Sequence, residues 1–245
     1  IATGISQTLG LLIMLTHFAW KKGYLRFGKI SLDMELFRKI ITHGLPEGVS
    51  QLATPIMKFC MNFVLIERIG DLGVNAFSVV SNIAILSMGI FSGASEGLQP
   101  LFGQSYGAKN EKDLKFYFKS GQIISFAGSA MITILTVLLR ENICALFGSD
   151  AATTEYVLQI YPMFSIGLIV MAVNVMITAY LYSTEWSALS TSISLLQSVI
   201  LNSAIIVFLP NIFGDGAIWF SMFTYEAVVL VIAMVLLKYS ERNTV

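Results

Sequence analysis

Long apolar runs separated by short polar segments dominate this chain. Most runs approach or exceed 18 residues, the length at which an apolar segment predicts a membrane-spanning helix. We predict seven such helices, at residues 1–20, 41–66, 72–104, 114–139, 156–182, 187–209 and 217–237. Residues 31–40 alternate apolar and charged side chains, which predicts a short helix at the membrane interface. The predicted fold is all-α: a polytopic membrane protein in which a six-helix bundle follows one additional helix.

The composition agrees with a membrane protein. Apolar residues make up 56% of the chain and charged residues 12%, whereas about 25% of a soluble domain is charged. The net charge is zero, so nothing indicates a nucleic-acid partner. Cys60 and Cys144 show no spacing typical of a disulfide or a metal site, and no nucleotide-binding or hydrolase motif occurs. We therefore expect no enzymatic activity, no catalytic residue and no bound metal.

The basic residues orient the predicted helices. Twelve Lys and Arg residues fall in loops on one side of the membrane, whereas only Arg68 and Arg140 fall on the other. This asymmetry places the basic side, including the C-terminus, in the cytoplasm. The chain opens at Ile1 inside an apolar helix with no signal-peptide pattern. We therefore expect a fragment whose N-terminal part is missing.

Polar side chains recur at spacings of three and four along the second predicted helix, which places them on one helical face. They are Glu47, Gln51, Thr54, Lys58 and Asn62. Pro46 and Pro55 bend the same helix and free backbone carbonyls, which membrane proteins tolerate beside a cavity. We therefore expect this helix to line a water-accessible cavity.

The third predicted helix carries a similar face. It comprises Asn75, Ser78, Asn82, Gly89, Gly93, Glu96 and Gln99. Gly89, Gly93 and Gly97 also form a ladder of small residues that lets another helix approach, so packing alone is the alternative interpretation. An acid within an apolar helix is costly, which makes Glu96 a functional candidate. Ser and Gly residues of the fourth predicted helix indicate packing contacts.

Depth along the helices predicts two charged pairs. At ~1.5 Å per residue, Glu47 and Glu96 lie roughly 10 Å inside the cytoplasmic ends of their helices. Such a pair could share a proton or Na⁺, although Glu47 could instead reach the interface. On the same rise, Lys58 and Glu226 lie roughly 12–14 Å from the outer ends. We predict that these two form a neutralising pair, the alternative being that Lys58 reaches outward.

Further polar residues follow helical spacing on the fifth and sixth predicted helices. They are Asn174, Thr178, Ser190, Ser194 and Gln197. They either line the same cavity or bond between helices, and the pattern favours packing. Four aromatic residues are candidates for stacking or cation–π contact with a substrate: Phe59, Phe63, Tyr161 and Tyr225.

Four motifs resemble the C-terminal half of the MATE (multidrug and toxic compound extrusion) transporters, in particular the bacterial branch. The first is G-x-Q-P-x-x-x-x-x-x-G-A, here from Gly97 to Ala108. The second is His43-Gly44-Leu45-Pro46 at the entry to the second predicted helix. The others are Leu146-Phe147-Gly148-Ser149-Asp150 and the segment from Leu209 to Gly216. They occur in the family's order and cover nearly the whole chain.

The resemblance implies twelve helices in two six-helix lobes joined by a cytoplasmic loop. Residues 1–20 would be the last helix of the missing N-terminal lobe, 21–40 the cytoplasmic inter-lobe linker, 41–237 the C-terminal lobe and 238–245 a cytoplasmic tail. The implied function is secondary antiport in the cell membrane, exporting organic, often cationic drugs or toxic compounds in exchange for Na⁺ or H⁺ by alternating access. The implied partners are a small organic substrate, membrane lipid and the N-terminal lobe; no cofactor beyond the coupling ion is implied.

The sequence departs from the family at two positions and leaves other functions open. Some branches carry an acid where this chain has Thr54, and another near Asn82. Glu47 and Glu96 are candidates from the residues alone, so the coupling ion stays open. The alternative function is a flippase for a lipid-linked or amphipathic substrate, against which the single intramembrane cation, Lys58, argues. A third hypothesis is that the chain is a non-transporting helical anchor or a channel subunit. The acids and prolines in the predicted helices argue against a passive anchor.

Overall fold

A computed structural model describes residues 2–20, 33–184 and 186–243 of the chain. Within these ranges it does not describe the side chains of residues 2–3, 17–20, 39–40, 42–54, 187, 198–199 and 240–243. Every regular element in this part of the chain is a helix, which confirms the all-α prediction.

Nine α-helices follow one another in the described residues. They are α1 (Ala2–Trp20), α2 (Met34–Arg68), α3 (Asp71–Gly107), α4 (Glu111–Leu138), α5 (Arg140–Leu146), α6 (Ala151–Ser183), α7 (Ser187–Leu195), α8 (Asn202–Phe213) and α9 (Ser221–Asn243). A π-helical segment, Leu196–Leu201, connects α7 to α8, and a 3₁₀ segment, Asp215–Phe220, precedes α9.

Local residues explain where several helices begin and end. The Asn110 side chain accepts the Asp113 N–H at 3.2 Å and begins α4, and Asp150 accepts the Thr153 N–H at 2.7 Å and begins α6. Gly148 and Gly214 have φ of +67° and +85°, a conformation that favours glycine over residues with a Cβ. Both glycines belong to the motifs that the sequence analysis singled out.

The chain divides into two compact units, residues 1–44 and 45–245. In the second, α6 is the central helix, because it contacts α3, α4, α5, α7 and α9. Its buried side chains lie all around its circumference, as expected for a helix that is apolar on every face. The predicted domain boundaries stay predictions, and residues 21–32 of the predicted linker lie outside the described residues.

Four helices among the described residues are long and apolar enough to cross a membrane: Asp71–Gly107, Glu111–Leu138, Ala151–Ser183 and Asp215–Tyr239. Two shorter apolar stretches lie at Gly4–Thr16 and Asn202–Phe213. These helices support a multi-pass membrane protein. The count of seven spanning helices stays a prediction.

Three predicted boundaries were wrong. Residues 34–40 of the predicted interfacial helix belong to α2, and the Asp33 carboxylate caps that helix by accepting the N–H of Glu35 at 2.9 Å. Residues 31–32 lie outside the described residues. The predicted span 187–209 is divided by the π-helical segment and reaches Phe213. The predicted loop 140–155 contains α5, a seven-residue helix.

Candidate functional site

Glu226 is a buried acid held by two amides. On α9, its side chain is 1% exposed. Its Oε2 accepts a hydrogen bond from Asn174 Nδ2 at 2.7 Å, and its Oε1 accepts one from Gln197 Nε2 at 2.7 Å. Asn174 Nδ2 also donates to the Glu226 backbone carbonyl at 2.9 Å. Residues from α6, the π-helical segment and α9 therefore converge on one carboxyl group.

Local structure explains how the two amides reach this carboxyl group. Asn174 lies in the C-terminal third of α6, the central helix, and is itself 1% exposed. Gln197 lies in the π-helical segment, and single π turns inside helices are frequent at functional sites. Upstream, Ser190 Oγ donates to the Thr178 carbonyl at 3.1 Å and joins α7 to α6. This contact fixes the helix that leads into the π turn.

Two buried amide oxygens near the acid have no hydrogen-bond partner within the described residues. They are Asn174 Oδ1 and Asn202 Oδ1. Asn202 is 3% exposed and lines the same cavity as Glu226. An unpaired buried acceptor costs about 1–3 kcal/mol. Amide and carboxylate oxygens are also the ligands that hard cations take from proteins. The arrangement can therefore bind a small cation.

A cavity of about 160 Å³ adjoins the acid. Its volume is comparable to an engineered cavity of about 150 Å³ that binds benzene, so it can receive one ring or a short chain. Five methionines contribute to its walls: Met57, Met61, Met88, Met171 and Met222. Six polar residues line it: Lys58, Ser81, Gln197, Asn202, Ser221 and Glu226. The cavity thus combines an adaptable apolar wall with one acid and one base.

Lys58 does not pair with Glu226, contrary to the prediction. The two residues line the same cavity, as their matched depths indicated. Both carboxylate oxygens instead accept hydrogen bonds from neutral amides. Within the described part of the chain, Lys58 makes no ion pair or hydrogen bond. The prediction paired the charges by depth and did not consider that amides on α6 and the π turn reach the acid.

Of the polar face predicted on α2, two side chains belong to the described residues, and one of them, Lys58, lines this cavity. The backbone of Glu47, Gln51 and Thr54 belongs to α2, but their side chains lie outside the described residues. Asn62 is exposed and does not line the cavity. Met61 is buried, and Asn62 points about 100° away from it around the helix. Lys58 lies only about 60° from Met61 on the same geometry and reaches the cavity edge.

The structure does not bring the α3 candidates to this cavity. Glu96 is exposed, whereas Asn82 and Gln99 are half-buried, and none of the three lines the cavity. The predicted pairing of Glu96 with Glu47 involves a side chain outside the described residues and stays a prediction.

Of the four predicted aromatic residues, one lines this cavity, and their contact with a substrate stays a prediction. Phe59 and Phe63 are 73% and 60% exposed and do not line it. Tyr161 is buried, and its hydroxyl donates to Thr136 Oγ1 at 2.7 Å, which joins α6 to α4. Tyr225 is the predicted aromatic that does line the cavity.

The glycines of α3 and α4 behave differently. No atom lies within 4 Å of the position that a Cβ would take at Gly89, Gly93 or Gly97, so in the described structure the α3 ladder is uncovered. At Gly121 on α4, a Cβ would lie 2.9 Å from Leu98 Cδ1 and 2.9 Å from Met176 Sδ. The packing predicted for α4 is confirmed at this position.

Sequence reasoning missed Asn202 and undervalued Gln197. Asn202 interrupts the apolar run from Val199 to Ile206, a signal that could have identified it. Gln197 was interpreted as a packing residue because its helical spacing matched that of Ser190 and Ser194. A partner search for the intramembrane acid Glu226 would have favoured both amides.

An ionic contact joins two outer segments of the second unit. Arg68, at the end of α2, donates from Nη1 to Asp215 Oδ1 at 3.1 Å. Its other terminal nitrogen donates to Asn211 Oδ1. Both acceptors belong to the segment around Gly214 that the sequence analysis singled out, so this segment has a fixed partner.

Comparison with known proteins agrees with this architecture. The family model MatE matches residues 46–209, which is more than half of the chain. No curated protein matches the chain.

Three solved structures show the same fold. An outward-facing multidrug resistance MATE family transporter of the MOP superfamily has a TM-score of 0.85 and 17% identity, over 98% of this chain and 55% of that one. MATE in complex with MaL6 has a TM-score of 0.83 and 18% identity, over 96% of this chain and 54% of that one. A MOP superfamily transporter from Pyrococcus furiosus Vc1 has a TM-score of 0.82 and 18% identity, over 96% of this chain and 53% of that one. That transporter is described as having a binding pocket of reversed polarity.

The chain spans about half the length of these structures. Their low identity shows the fold, and the family model shows membership. This chain belongs to the MatE family of transporters.

Proposed function

We propose that this chain is the C-terminal half of a secondary antiporter in the cell membrane. The complete protein exports organic, often cationic compounds in exchange for Na⁺ or H⁺ by alternating access. The observation that carries the proposal is the buried Glu226 carboxyl group, which is held by Asn174 and Gln197 beside a cavity.

An acid inside a membrane segment is costly, which makes a purely structural role for Glu226 unfavourable. Within the described residues, its two hydrogen-bond donors are neutral amides, and no basic side chain forms an ion pair with it. A proton or Na⁺ would balance its charge and would leave again in the other transport state. Alternate loading and release of a cation is what an ion-coupled antiporter requires.

Two coupling ions fit this arrangement in different ways. A proton needs only the Glu226 carboxyl group. A sodium ion needs several oxygen ligands, and the unpaired oxygens of Asn174 and Asn202 favour it. An experiment with separately imposed gradients decides between the two ions.

The uncovered face of α3 supports a second lobe. Gly89, Gly93 and Gly97 have no neighbouring atom at the Cβ position, and Glu96 on this helix is exposed. A helix face with an acid is unfavourable against lipid, whereas small residues allow another helix to approach closely. The chain also spans only about half of the structures that it matches. These observations favour an N-terminal lobe of the same transporter as the partner.

The flippase alternative is less well supported. A lipid-linked, polyanionic substrate requires several cations in the cavity, and among the described lining residues Lys58 is the one base. The cavity walls favour a compound with an apolar body and few charges. The excess of Lys and Arg residues in the loops on the side of the C-terminus favours a cytoplasmic location for that end.

The test is transport of a fluorescent cationic dye by inverted vesicles that contain the full-length protein, with a Na⁺ or a pH gradient imposed separately. We expect one gradient to drive dye movement and Glu226→Gln to abolish it. Glu111→Gln is the matched control, since Glu111 is an exposed acid paired with Lys115 on the surface of α4. Absence of movement under both gradients would contradict antiport. Unchanged movement in Glu226→Gln would contradict the role of Glu226.

A further inference from the structure

The ion-binding role proposed for Glu226 leaves Lys58 unexplained. Lys58 lies on α2, is half-buried and lines the cavity. It makes no ion pair or hydrogen bond within the part of the chain that the structure describes. Placing a cation in a partly buried site without a counter-charge is unfavourable. A lysine at this depth therefore indicates a ligand that supplies negative charge.

Glu226 is not the partner that satisfies Lys58. Its two oxygens already accept hydrogen bonds of 2.7 Å from Asn174 and Gln197. In an antiporter the ion leaves Glu226 before the organic compound binds, so the cavity that receives the compound carries one negative and one positive charge. A compound that carries both charges matches this cavity better than one that carries only positive charge.

The cavity also limits what the acidic group can be attached to. Its volume of about 160 Å³ is sufficient for one aromatic ring or a short chain. Met57 and Met61, which flank Lys58 on α2, and Met88 on α3 provide a flexible apolar wall. A ring that carries a carboxylate matches these features.

We propose that Lys58 binds an acidic group on the transported compound, so that the transporter prefers zwitterionic compounds to compounds that carry only positive charge. The carboxylate accepts hydrogen bonds from the Lys58 ammonium, and its ring packs against the methionines. This proposal rests on the proposed function, because it names the substrate class of the same cavity.

Rhodamine 110 and rhodamine 123 form a matched pair of probes. The first carries a free carboxylate on its phenyl ring, and in the second the same carboxylate is a methyl ester. Binding of each dye to the purified full-length protein is measured by fluorescence anisotropy, at fixed ionic strength. We expect the wild-type protein to bind rhodamine 110 more tightly than rhodamine 123.

Substitutions at Lys58 test whether this residue causes the preference for rhodamine 110. Because a hydrogen bond between charged groups is strong, Lys58→Met is expected to weaken rhodamine 110 binding on the order of tenfold or more and to leave rhodamine 123 binding nearly unchanged. Lys58→Arg keeps the charge and should keep the preference. Lys115→Met removes an exposed lysine on α4 and should match the wild-type protein.

Lys58→Met should fold, since Glu226 keeps both amide donors and no buried group loses a partner. Lys58→Gln provides a second uncharged variant and should lose the preference in the same way. Equal weakening of both dyes in these variants, or no change in either, would overturn the proposal.

The two proposals fail in different ways. Gradient-driven transport of rhodamine 123 without a Lys58-dependent preference supports antiport and overturns the role of Lys58. A Lys58-dependent preference in binding without gradient-driven transport supports the ligand assignment and overturns antiport.

Discussion

Asn174 and Asn202 provide a sharp test of the candidate site, because the same substitution should have opposite effects at the two positions. Asn174 donates to the Glu226 carboxylate at 2.7 Å and to the Glu226 backbone carbonyl at 2.9 Å. Asn202 contributes a buried oxygen that has no hydrogen-bond partner in the described part of the chain. Leucine has the same branched arrangement of four side-chain heavy atoms as asparagine and removes the polar atoms in each case.

The magnitudes follow from these contacts. Side-chain hydrogen bonds between membrane helices contribute about 0.6 kcal/mol on average and up to about 1.7 kcal/mol. We assign the larger value to the bond with the carboxylate and the average to the bond with the carbonyl, a loss of about 2.3 kcal/mol in Asn174→Leu. Removing the unpaired Asn174 oxygen also removes a buried acceptor without a partner, which raises the free energy of unfolding by about 1 kcal/mol. The free energy of unfolding should therefore fall by about 1–2 kcal/mol in Asn174→Leu.

Asn202→Leu should leave the free energy of unfolding unchanged or raise it by about 1 kcal/mol, because it removes a buried acceptor without a partner. The assay is reversible unfolding of the full-length protein in detergent micelles, monitored by the loss of helical circular dichroism. Na⁺ is then added, since a cation that binds the native state stabilises it by mass action. If Na⁺ is the coupling ion, it should stabilise the wild-type protein more than Asn202→Leu.

The result that refutes this reasoning is equal destabilisation by the two substitutions. In that case the Asn202 oxygen has a partner in the native protein and is not free to bind the proposed cation. Ser192→Leu is a suitable control, because Ser192 is exposed and donates only to the Ala188 carbonyl of its own helix.

Two further predictions concern packing and pH. Gly167→Ala should lower the free energy of unfolding by about 1–3 kcal/mol, since a Cβ there would lie 2.7 Å from Met222 Cγ and 2.9 Å from the Phe223 nitrogen. Gly128→Ala on α4 has open space at the Cβ position and should be neutral in the same unfolding assay. The Thr153 hydroxyl and N–H hold the pKa of the Asp150 carboxyl below its usual range. That stabilisation is present above the carboxyl's ordinary pKa and is lost as pH falls through the lowered value. The free energy of unfolding of the wild-type protein should therefore fall in acid towards that of the Asp150→Asn variant. Parallel curves of unfolding free energy against pH for the two proteins would contradict this.

Apolar patterning was sufficient to predict the helical fold, because each long apolar run must either be buried in the protein or face lipid along its whole length. Depth along the helices also identified Lys58 and Glu226 as residues of one region, and the structure places both at the same cavity. These predictions rest on helical rise and hydropathy, which depend little on tertiary contacts.

The contacts of Glu226 could not be predicted in the same way. A π turn changes the direction of residues after α7, so a regular helical projection does not show that Gln197 reaches α9. The expected partner was Lys58, because opposite charges attract, but two amides satisfy the acid without another charge. At Asn62, a shift of about 100° around α2 was enough to move the side chain away from the cavity.

The central claim is that Glu226 couples the movement of an ion to the movement of an organic compound. The most direct measurement is ion flux in proteoliposomes that contain the full-length protein, recorded with internal Na⁺- and pH-sensitive dyes after a transported compound is added outside. We expect addition of the compound to drive Na⁺ or H⁺ outward in the wild-type protein and not in Glu226→Gln. Entry of the compound without ion movement in the wild-type protein would contradict this claim.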